Sequence, residues 1–526
     1  MAEIKLRFTE QSFMNAFERQ RRSRRPSAPI AWRAPVMHNP FEGLSQQFWL
    51  LSGFLVVVFL TGGGARGDVE SLIVLRPLAV ILVGFAAAGL NGRILATYRW
   101  LFCIGCACLL IPLIQLVPLP TKVFLALGGR EMVANIDQSV GILAMWRPLT
   151  LAPALTWNSA WAVFPPLAVL MLGVQISGSE RKKTLVLVLL LGSASAALEF
   201  AQSLGDQFGT LRLYDVSSPG VPVGLFSNRN HQAVFLASLI PMLAVWSQSG
   251  KTSRDAARGG TSSVWALVAA LCSLCLMLLI LLTGSRTGLL LGVAACLSVP
   301  LVIGWHPKVW KRDKDIPAKK SERKPLNRIG IITALAIGLM FVFISIYVGR
   351  AESINRLLDS NPTDDLRIKI LPTVYELIQK YWLWGSGAGT FKPVYRTQEI
   401  QDLLAPAMMD HVNNDWLETV MTDGLMGVGV ILASITFWLV HARTAFFSPK
   451  SLPPKSLPPK SRGALRCARL GSIIILLFAL ASVTDYPIRT PIVACIMTLA
   501  ALWMVDDNDA DVIISKSIIN TAARAN

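Results

Sequence analysis

The chain has 526 residues, of which 53% are hydrophobic and only 16% are charged, and its mean hydropathy is +0.51. Soluble globular proteins are typically about 25% charged, so this composition excludes an ordinary soluble domain and predicts a membrane protein. The formal net charge is +18, but the basic residues concentrate in a terminal arm and a few loops without a nucleic-acid recognition motif, so we expect no nucleic-acid binding.

The first 45 residues form a polar and basic arm, with five arginines between positions 19 and 25. No apolar core follows the initial methionine closely, which argues against a signal peptide. We therefore expect residues 1–45 to be a disordered extension in the cytoplasm.

Twelve apolar segments follow the arm, and they predict an all-α polytopic membrane protein. Two of them, 264–283 and 329–348, are uncharged runs of about 20 residues, the length that crosses a hydrocarbon layer roughly 30 Å thick. Spans one to nine lie within 46–348 and spans ten to twelve within 416–505. We place the twelve spans at 46–61, 71–91, 99–118, 157–177, 183–203, 227–247, 264–283, 287–305, 329–348, 416–440, 468–484 and 489–505.

The distribution of basic residues between the spans predicts the orientation. Residues 306–328 carry nine Lys or Arg against three acids, and the linker 441–466 contains the lysine-bearing repeat SLPPKSLPPK. The positive-inside rule places these connections, both termini and the tail 506–526 in the cytoplasm. The large loop 349–415 is then expected on the outer side, since its stretch 349–411 has seven Lys or Arg against eight acids.

Inside this outer loop, apolar residues recur at helical spacing from Leu366 to Trp384. Aromatic side chains accompany them at Tyr375, Tyr381, Trp382 and Trp384. This pattern predicts a helix that lies in the membrane interface or caps the membrane domain, with its aromatic side chains at the level of the lipid headgroups.

The eight cysteines lie in or beside apolar runs, and two pairs, Cys103/Cys106 and Cys272/Cys275, have the spacing of metal or redox motifs. Inside a membrane helix, residues three positions apart share a face, and a free cysteine packs as a small hydrophobe. We therefore interpret both pairs as packing residues. No histidine cluster or zinc-protease motif stands in an outer loop, so we expect neither a metal nor another cofactor.

Four polar groups fall on the predicted outer side. Each has an ordinary interpretation: a helix cap, an arginine that reaches lipid phosphate, a tight turn or an interfacial histidine. Their gathering on one membrane face favours a shared functional site. Asp485 and Glu199 are further acids on this face, and Glu199 could pair with Arg286, bind acceptor hydroxyls or form a hydrogen bond between helices. The four groups are FSNRNH at 226–231, TGSRTG at 283–288, Arg367 with GSGAG at 385–389, and HVNNDWLE at 411–418.

Five segments in this order resemble the superfamily of O-antigen ligases and O-antigen polymerases, over residues 140 to 440. They are WRPLTLAP (146–153), FSNRNHQA (226–233), LTGSRTG (282–288), GSGAGTF (385–391) and HVNNDWLETVMTDGLMG (411–427). The resemblance implies a GT-C-like helical enzyme of the bacterial inner membrane with a periplasmic active site. It would transfer a glycan from undecaprenyl diphosphate to lipid A–core or to a growing polysaccharide, without a metal and with inversion at the anomeric carbon.

The resemblance also implies roles for individual residues. Arg286 and Arg367 are expected to bind the diphosphate, because a guanidinium offers two parallel charge-assisted bonds. His411 is the candidate general base, although relatives commonly carry the catalytic histidine directly before Asn-Asp, where this chain has Asn413. Asp415 or Glu418 would otherwise serve, or no base is needed with so good a leaving group. The expected substrate-binding residues are Asn228, Arg229, Asn230, Ser285, Asn413, Asn414, Asp415 and Glu418.

Three other functions remain open from the sequence alone. A repeat-unit polymerase of the same superfamily uses the same donor and differs only in its acceptor. A transporter often has twelve spans with both termini inside, but its site lies near the bilayer midplane, whereas these motifs gather on one face. The third possibility is a structural membrane protein without enzymatic activity, but this function does not explain why the motifs gather on one face.

Overall fold

The computed structural model describes residues 43–142, 145–204, 209–218, 220–248, 261–304, 366–399, 409–447 and 462–505. The predicted ninth span, most of the N-terminal arm, the loop 306–328 and the tail 506–526 lie outside these ranges. The chain divides into two compact units, Met1–Leu44 and Ser45–Asn526, and all helices and strands given below belong to the second.

The described ranges contain eighteen α-helices, one 3₁₀ helix at Pro487–Arg489 and a two-residue antiparallel ribbon of β1 (Pro118–Leu119) with β2 (Arg147–Pro148). The helices are α1 Gln46–Thr61, α2 Leu72–Ala87, α3 Gly92–Thr97, α4 Arg99–Gln115, α5 Thr121–Leu125, α6 Glu131–Val140, α7 Pro153–Ala162, α8 Phe164–Gly173, α9 Gly178–Ser203, α10 Arg229–Trp246, α11 Thr261–Leu282, α12 Arg286–Ile303, α13 Leu366–Lys369, α14 Leu371–Tyr381, α15 Phe391–Arg396, α16 Asp415–Phe447, α17 Arg462–Ala481 and α18 Pro491–Met504.

Helices occupy eleven of the twelve predicted spans, and the remaining one, the ninth span at 329–348, falls outside the described residues. Four of the helices, α1, α2, α4 and α18, are apolar but shorter than 18 residues. The helical membrane fold is therefore confirmed, while the number of spans and the large outer loop stay predictions. Six helical segments in the described ranges are long and apolar enough to cross a membrane: Pro153–Gly173, Gly178–Ser203, Val264–Leu282, Arg286–Ile303, Asp415–Phe447 and Gly463–Ala481.

Helix α10 is the centre of the bundle. Its side chains are buried without interruption from His231 to Met242, and it packs against α9, α11, α12 and α17. An all-round buried helix must be surrounded by other helices, so the first turn of α10 is held rigidly at one end of the bundle.

A glycine packs α12 closely against α10. A Cβ atom added at Gly288 would stand 2.3 Å from the Cβ of Ala233, so no larger residue fits there. Small residues at such contacts allow two membrane helices to approach each other closely. The starts of α10 and α12 are thereby fixed side by side.

The predicted glycine turn 385–389 fits into a kink of α16. Gly385, Gly387 and Gly389 all have positive φ, at 79°, 115° and 77°. The kink lies at Gly424, whose φ of 62° and ψ of −147° are not helical. Backbone bonds join turn and kink: the Gly387 N–H donates to the Thr422 carbonyl at 2.9 Å. The turn therefore has a packing role between helices.

The segment WRPLTLAP is held against the same turn. The Leu151 N–H donates to the carbonyl of Ser386 at 2.8 Å. Buried Arg130 donates to the carbonyls of Leu149, at 2.7 Å, and Gly385, at 2.9 Å. Two of the five family-like segments thus meet as scaffold, through backbone groups that need a partner when they are buried.

Two contacts join helix ends at the end of the bundle away from the polar motifs. The Arg469 Nε donates to the Ala445 carbonyl at 3.0 Å, near the start of α17 and the end of α16. The Trp503 indole donates to the Arg181 carbonyl at 3.2 Å, near the end of α18 and the start of α9. The polar motifs lie at the opposite ends of α9, α16, α17 and α18, as the predicted grouping of motifs on one face requires.

The fit of the turn into the kink predicts that Gly424→Ala lowers stability, by on the order of 2 kcal/mol, through strain at a positive φ and overlap with the turn. The added Cβ would stand 2.6 Å from the Gly385 nitrogen and 2.7 Å from the Leu383 carbonyl oxygen. Gly429→Ala is the matched control in the same helix, because nothing lies within 4 Å of a Cβ there. Thermal unfolding in detergent micelles measures both variants, and equal midpoints would contradict the fit.

Candidate functional site

A cavity of about 690 Å³ lies where the starts of α10, α12 and α16 meet α13, α14 and the turn before α18. Among the residues that the structure describes, three of those that line the cavity are arginines and none is an aspartate or a glutamate. A site with this charge attracts anions. The lining residues are Arg229, Asn230, Gly284, Arg286, Thr287, Arg367, Ile368, Leu371, Tyr375, Val412, Asn413, Asn414, Leu417, Val483 and Thr484.

Arg286 is the first residue of α12. Ser285 caps this helix, since its hydroxyl accepts a bond from the Gly288 N–H at 3.0 Å. Gly284 turns the chain into the cap with a φ of 68°. A helix start presents unpaired N–H groups and the positive end of the helix dipole, so Arg286 stands where an anion is already favoured. The predicted substrate residue Ser285 is thus a helix cap and does not line the cavity.

Arg229 and Asn230 form the first turn of α10 and also line the cavity. Asn228 caps this helix by accepting a bond from the Asn230 N–H at 2.8 Å. The Asn230 amide in turn donates to Asp485 at 2.5 Å. Of the three residues predicted here for substrate binding, two face the cavity and Asn228 supports them.

Arg367 in α13 is held on the opposite wall. Its guanidinium donates to the Thr484 carbonyl at 2.7 Å and lies 3.6 Å from the Asp485 carboxylate. Asp485 is buried, with His231 3.5 Å away on its other oxygen. Burial alone would raise the pKa of Asp485, but His231 and Arg367 lower it to about 2, so the carboxylate is ionised at neutral pH.

His411 stands just behind the cavity wall formed by Val412 and Asn413. Its Nδ1 is 3.0 Å from the buried Glu418 carboxylate. The Val412 N–H donates to the other oxygen of Glu418 at 3.0 Å. Asn413, at the position of the family's usual histidine, has a φ of 58°, and it is the one non-glycine residue with positive φ among those that the structure describes.

Asp415 and Glu418 both meet Arg489. The guanidinium lies 3.0 Å from Asp415 and 3.2 Å from Glu418, and the Ser482 hydroxyl donates to Asp415 at 2.9 Å. Neither carboxylate lines the cavity. Their predicted contact with substrate, or service as a base, stays a prediction, whereas the structure shows both of them in an ion-pair network.

Tyr486 packs between the two histidines of the site. Its ring centroid is 5.0 Å from that of His231 in an edge contact and 4.3 Å from that of His411 in a tilted contact. Burial and the neighbouring Asp485 raise the pKa of Tyr486, so the phenol stays neutral. The ring therefore acts as a fixed wall against which both imidazoles rest.

The turn Ser482–Arg489 connects all parts of the site, and sequence reasoning identified only Asp485 in it. The Val483 carbonyl accepts a bond from Asn414 at 2.9 Å, and the Thr484 hydroxyl lies 2.9 Å from the Thr287 hydroxyl. The sequence does show two charged residues, Asp485 and Arg489, at the junction of two apolar spans. Their partners stand far away in the chain, so no local pattern identified them.

Two further groups have structural partners. Glu199, considered from the sequence as a partner of Arg286 or of an acceptor, accepts a bond from Gln232 at 2.6 Å between helices. In the part of the chain that the structure describes, no three His, Cys, Asp or Glu side chains are grouped as metal ligands, and Cys103, Cys106, Cys272 and Cys275 are exposed on apolar helices.

Residues 268–432 match the model of a family described as O-Antigen ligase. A comparison with curated proteins found no match. The matched segment contains Arg286, Arg367 and His411, and the match confirms the resemblance predicted from the motifs. It supports a membrane-bound glycan-transfer function of the ligase or polymerase type, with a lipid-linked glycan and a polysaccharide acceptor as substrate classes. The turn 482–489 and the first turn of α10 lie outside it.

The buried position of Asp485 predicts that Asp485→Asn destabilises the protein by on the order of 3 kcal/mol at neutral pH, because Arg367 and Asn230 lose a buried charged partner. Because folding lowers the pKa of Asp485, the carboxylate stabilises the folded protein fully above pH 3.8, its ordinary pKa. This stabilisation is lost as the pH falls towards 2. The difference in unfolding midpoint between wild type and variant should therefore shrink in acid.

Asp68→Asn is the matched control for this measurement. Asp68 pairs with Arg66 at 2.6 Å, but its side chain is 66% exposed, so we expect an effect below about 1 kcal/mol. Equal effects of the two substitutions at neutral pH would contradict the role given to Asp485.

Proposed function

We propose that this chain is a membrane glycosyltransferase of the O-antigen ligase type. It moves a glycan from undecaprenyl diphosphate to a hydroxyl of lipid A–core at the periplasmic face of the bacterial inner membrane. The observation that carries the proposal is the cavity in which three arginines, Arg229, Arg286 and Arg367, come together with Asn413 and Asn414. The family match over 268–432 supports the same reaction class.

The three arginines suit a diphosphate diester, which carries one negative charge on each phosphate. Each guanidinium can form two parallel bonds to phosphate oxygens, and such charge-assisted bonds are about twice as strong as neutral ones. The starts of α10 and α12 add N–H groups and the positive ends of two helix dipoles. Asn413 and Asn414 supply amides for sugar hydroxyls on the same wall.

One side of the cavity is apolar and suits the lipid part of the donor. Ile368, Leu371 and Tyr375 of α13 and α14 line it, and Leu417 and Val483 face them. Tyr375 is more than half exposed, as expected of an aromatic residue at the membrane interface. In this arrangement the prenyl chain leaves the cavity along α14 towards the bilayer, while the diphosphate stays on the arginines.

The reaction is a direct displacement. An acceptor oxygen forms a bond to the anomeric carbon, the bond from that carbon to the diphosphate oxygen breaks, and the electron pair leaves with the lipid diphosphate. Attack opposite the leaving group inverts the anomeric configuration. The arginines stabilise the charge that develops on the leaving phosphate, an effect typically worth several kcal/mol of the barrier, and take the place of a metal ion.

His411 is the proposed base for the acceptor proton. Glu418 holds its Nδ1 at 3.0 Å, which leaves Nε2, on the other side of the ring, to receive the proton. The carboxylate then stabilises the imidazolium that forms, as in other carboxylate–histidine pairs. Because Asp415 and Glu418 are paired with Arg489, His411 is better suited as base than either of them.

The test is glycan transfer by the purified protein in lipid nanodiscs. The donor is a synthetic polyprenyl-diphosphate oligosaccharide, offered with lipid A–core or with a second donor molecule as acceptor. We expect Arg286→Ala and Arg367→Ala to lower kcat/KM by about 100-fold or more, because each removes a ligand of the leaving group. His411→Ala should lower it by about 10²–10⁴-fold. Lys122→Ala, in an exposed position of α5, is the control and should have no effect.

The outcomes separate the alternatives. Transfer to lipid A–core supports the ligase reaction, whereas elongation of the lipid-linked oligosaccharide shows a polymerase. Full activity of both arginine variants would show that the reaction takes place elsewhere. Absence of transfer from wild-type protein to either acceptor would contradict the proposed function.

A further inference from the structure

We infer that Arg489 is a positioning residue for His411, acting through the Glu418 carboxylate. The inference rests on the proposed function, since it concerns the group that accepts the acceptor proton. Arg489 ends the 3₁₀ helix Pro487–Arg489 and lies outside the matched segment 268–432, so neither the motifs nor the family match points to it.

The geometry joins the three residues through one oxygen. Oε1 of Glu418 is 3.2 Å from the Arg489 guanidinium and 3.0 Å from His411 Nδ1. Oε2 of Glu418 accepts the Val412 N–H at 3.0 Å. Both oxygens of this buried carboxylate are therefore engaged, and its orientation is fixed by an arginine on one side and by the His411 loop on the other.

Arg489 is itself fixed at the start of a buried helix. Its Nε contacts Asp415 at 3.0 Å, and α18, which begins two residues later, is buried along its length and packs against α8 and α17. The Thr490 hydroxyl donates to the Pro487 carbonyl at 2.6 Å and closes the turn. A guanidinium held on such a support transmits its position to the carboxylate that it pairs with.

The charge balance explains why an arginine is needed. Asp415 and Glu418 bring two buried carboxylates close to one imidazole, and removal of a partner from a buried ion pair is strongly destabilising. With Arg489 present, Glu418 remains an ionised acceptor, which selects the imidazole tautomer with hydrogen on Nδ1 and a lone pair on Nε2. Without Arg489, one of these two carboxylates takes up a proton or moves away. Glu418 then no longer selects one tautomer of His411.

Other charged and titratable groups also face His411. The Tyr486 ring packs on it at 4.3 Å, and the preceding residue Asp410 pairs with Arg66 at 3.4 Å and Lys392 at 2.5 Å. These side-chain contacts hold the loop and involve neither the Glu418 carboxylate nor the Arg489 guanidinium; Tyr486 meets Arg489 only through its carbonyl, which accepts the Arg489 N–H at 3.3 Å. Because a substitution of the Arg489 side chain keeps that backbone bond, we expect a changed response of His411 to report on the Arg489–Glu418 contact.

The experiment compares Arg489→Lys, Arg489→Met and the double variant Arg489→Met with Glu418→Gln, in nanodiscs and with the synthetic polyprenyl-diphosphate donor. We expect Arg489→Met to lower kcat by about 10²-fold while the donor KM stays within about twofold, because the diphosphate site does not include Arg489. Arg489→Lys keeps the charge and should restore part of kcat.

The double variant separates positioning from folding. If Arg489→Met lowers the unfolding midpoint, Glu418→Gln removes the uncompensated charge and should restore that midpoint while kcat stays low. Recovery of kcat together with the midpoint would overturn the inference, because Arg489 would then be needed only for stability. An unchanged kcat in Arg489→Met would overturn it as well.

A spectroscopic readout keeps this inference separate from the proposed function. Solid-state spectra of protein with nitrogen-15-labelled histidine report the tautomer of each ring, and His411→Gln assigns the signal. Wild type should show His411 with hydrogen on Nδ1, and Arg489→Met a mixture of tautomers. The same tautomer in both proteins would overturn the inference even if glycan transfer is found, and a changed tautomer supports it even if wild type fails to transfer glycan.

Discussion

The ion pairs of Arg489 with Asp415 and Glu418 are the constraint on which the rest of the site depends. Two carboxylates buried at the start of α16 are costly unless a cation compensates them, and a single guanidinium from the turn before α18 contacts both. This contact joins the motif at 411–418 to a segment more than seventy residues later in the chain. The same contact holds the turn Ser482–Arg489 in place. This turn carries Asp485, the partner of Arg367 and Asn230.

The scaffold around this cluster relies on close backbone approach. Gly288 brings α12 against α10, and Gly424 admits the turn 385–389 into the kink of α16. Both contacts lie near the cavity end of the bundle, and each excludes a side chain larger than glycine. A cavity whose arginines stand on the first turns of packed helices is preorganised, which is what stabilisation of a leaving group requires.

The sequence predicted the parts of the structure that depend on local pattern. Hydropathy located helices at eleven of twelve spans, and the motifs at 226–231, 283–288 and 411–418 do converge on one cavity with Arg367. It could not predict which polar residues face the cavity and which support it. Asp415 and Glu418 are adjacent to the cavity residues Asn413 and Asn414 in the chain, yet their carboxylates turn towards Arg489. The direction of these carboxylates depends on Arg489, which lies too far away in the chain for any local spacing to indicate the contact.

Electron cryomicroscopy of the protein in nanodiscs with the synthetic polyprenyl-diphosphate oligosaccharide would show directly whether the arginine-lined cavity binds a lipid diphosphate. We expect the diphosphate within hydrogen-bond distance of Arg286 and Arg367, the prenyl chain along Ile368 and Tyr375, and the first sugar near Asn413. A diphosphate bound at another place on the protein, with the cavity arginines unchanged, would show that this cavity is not the donor site.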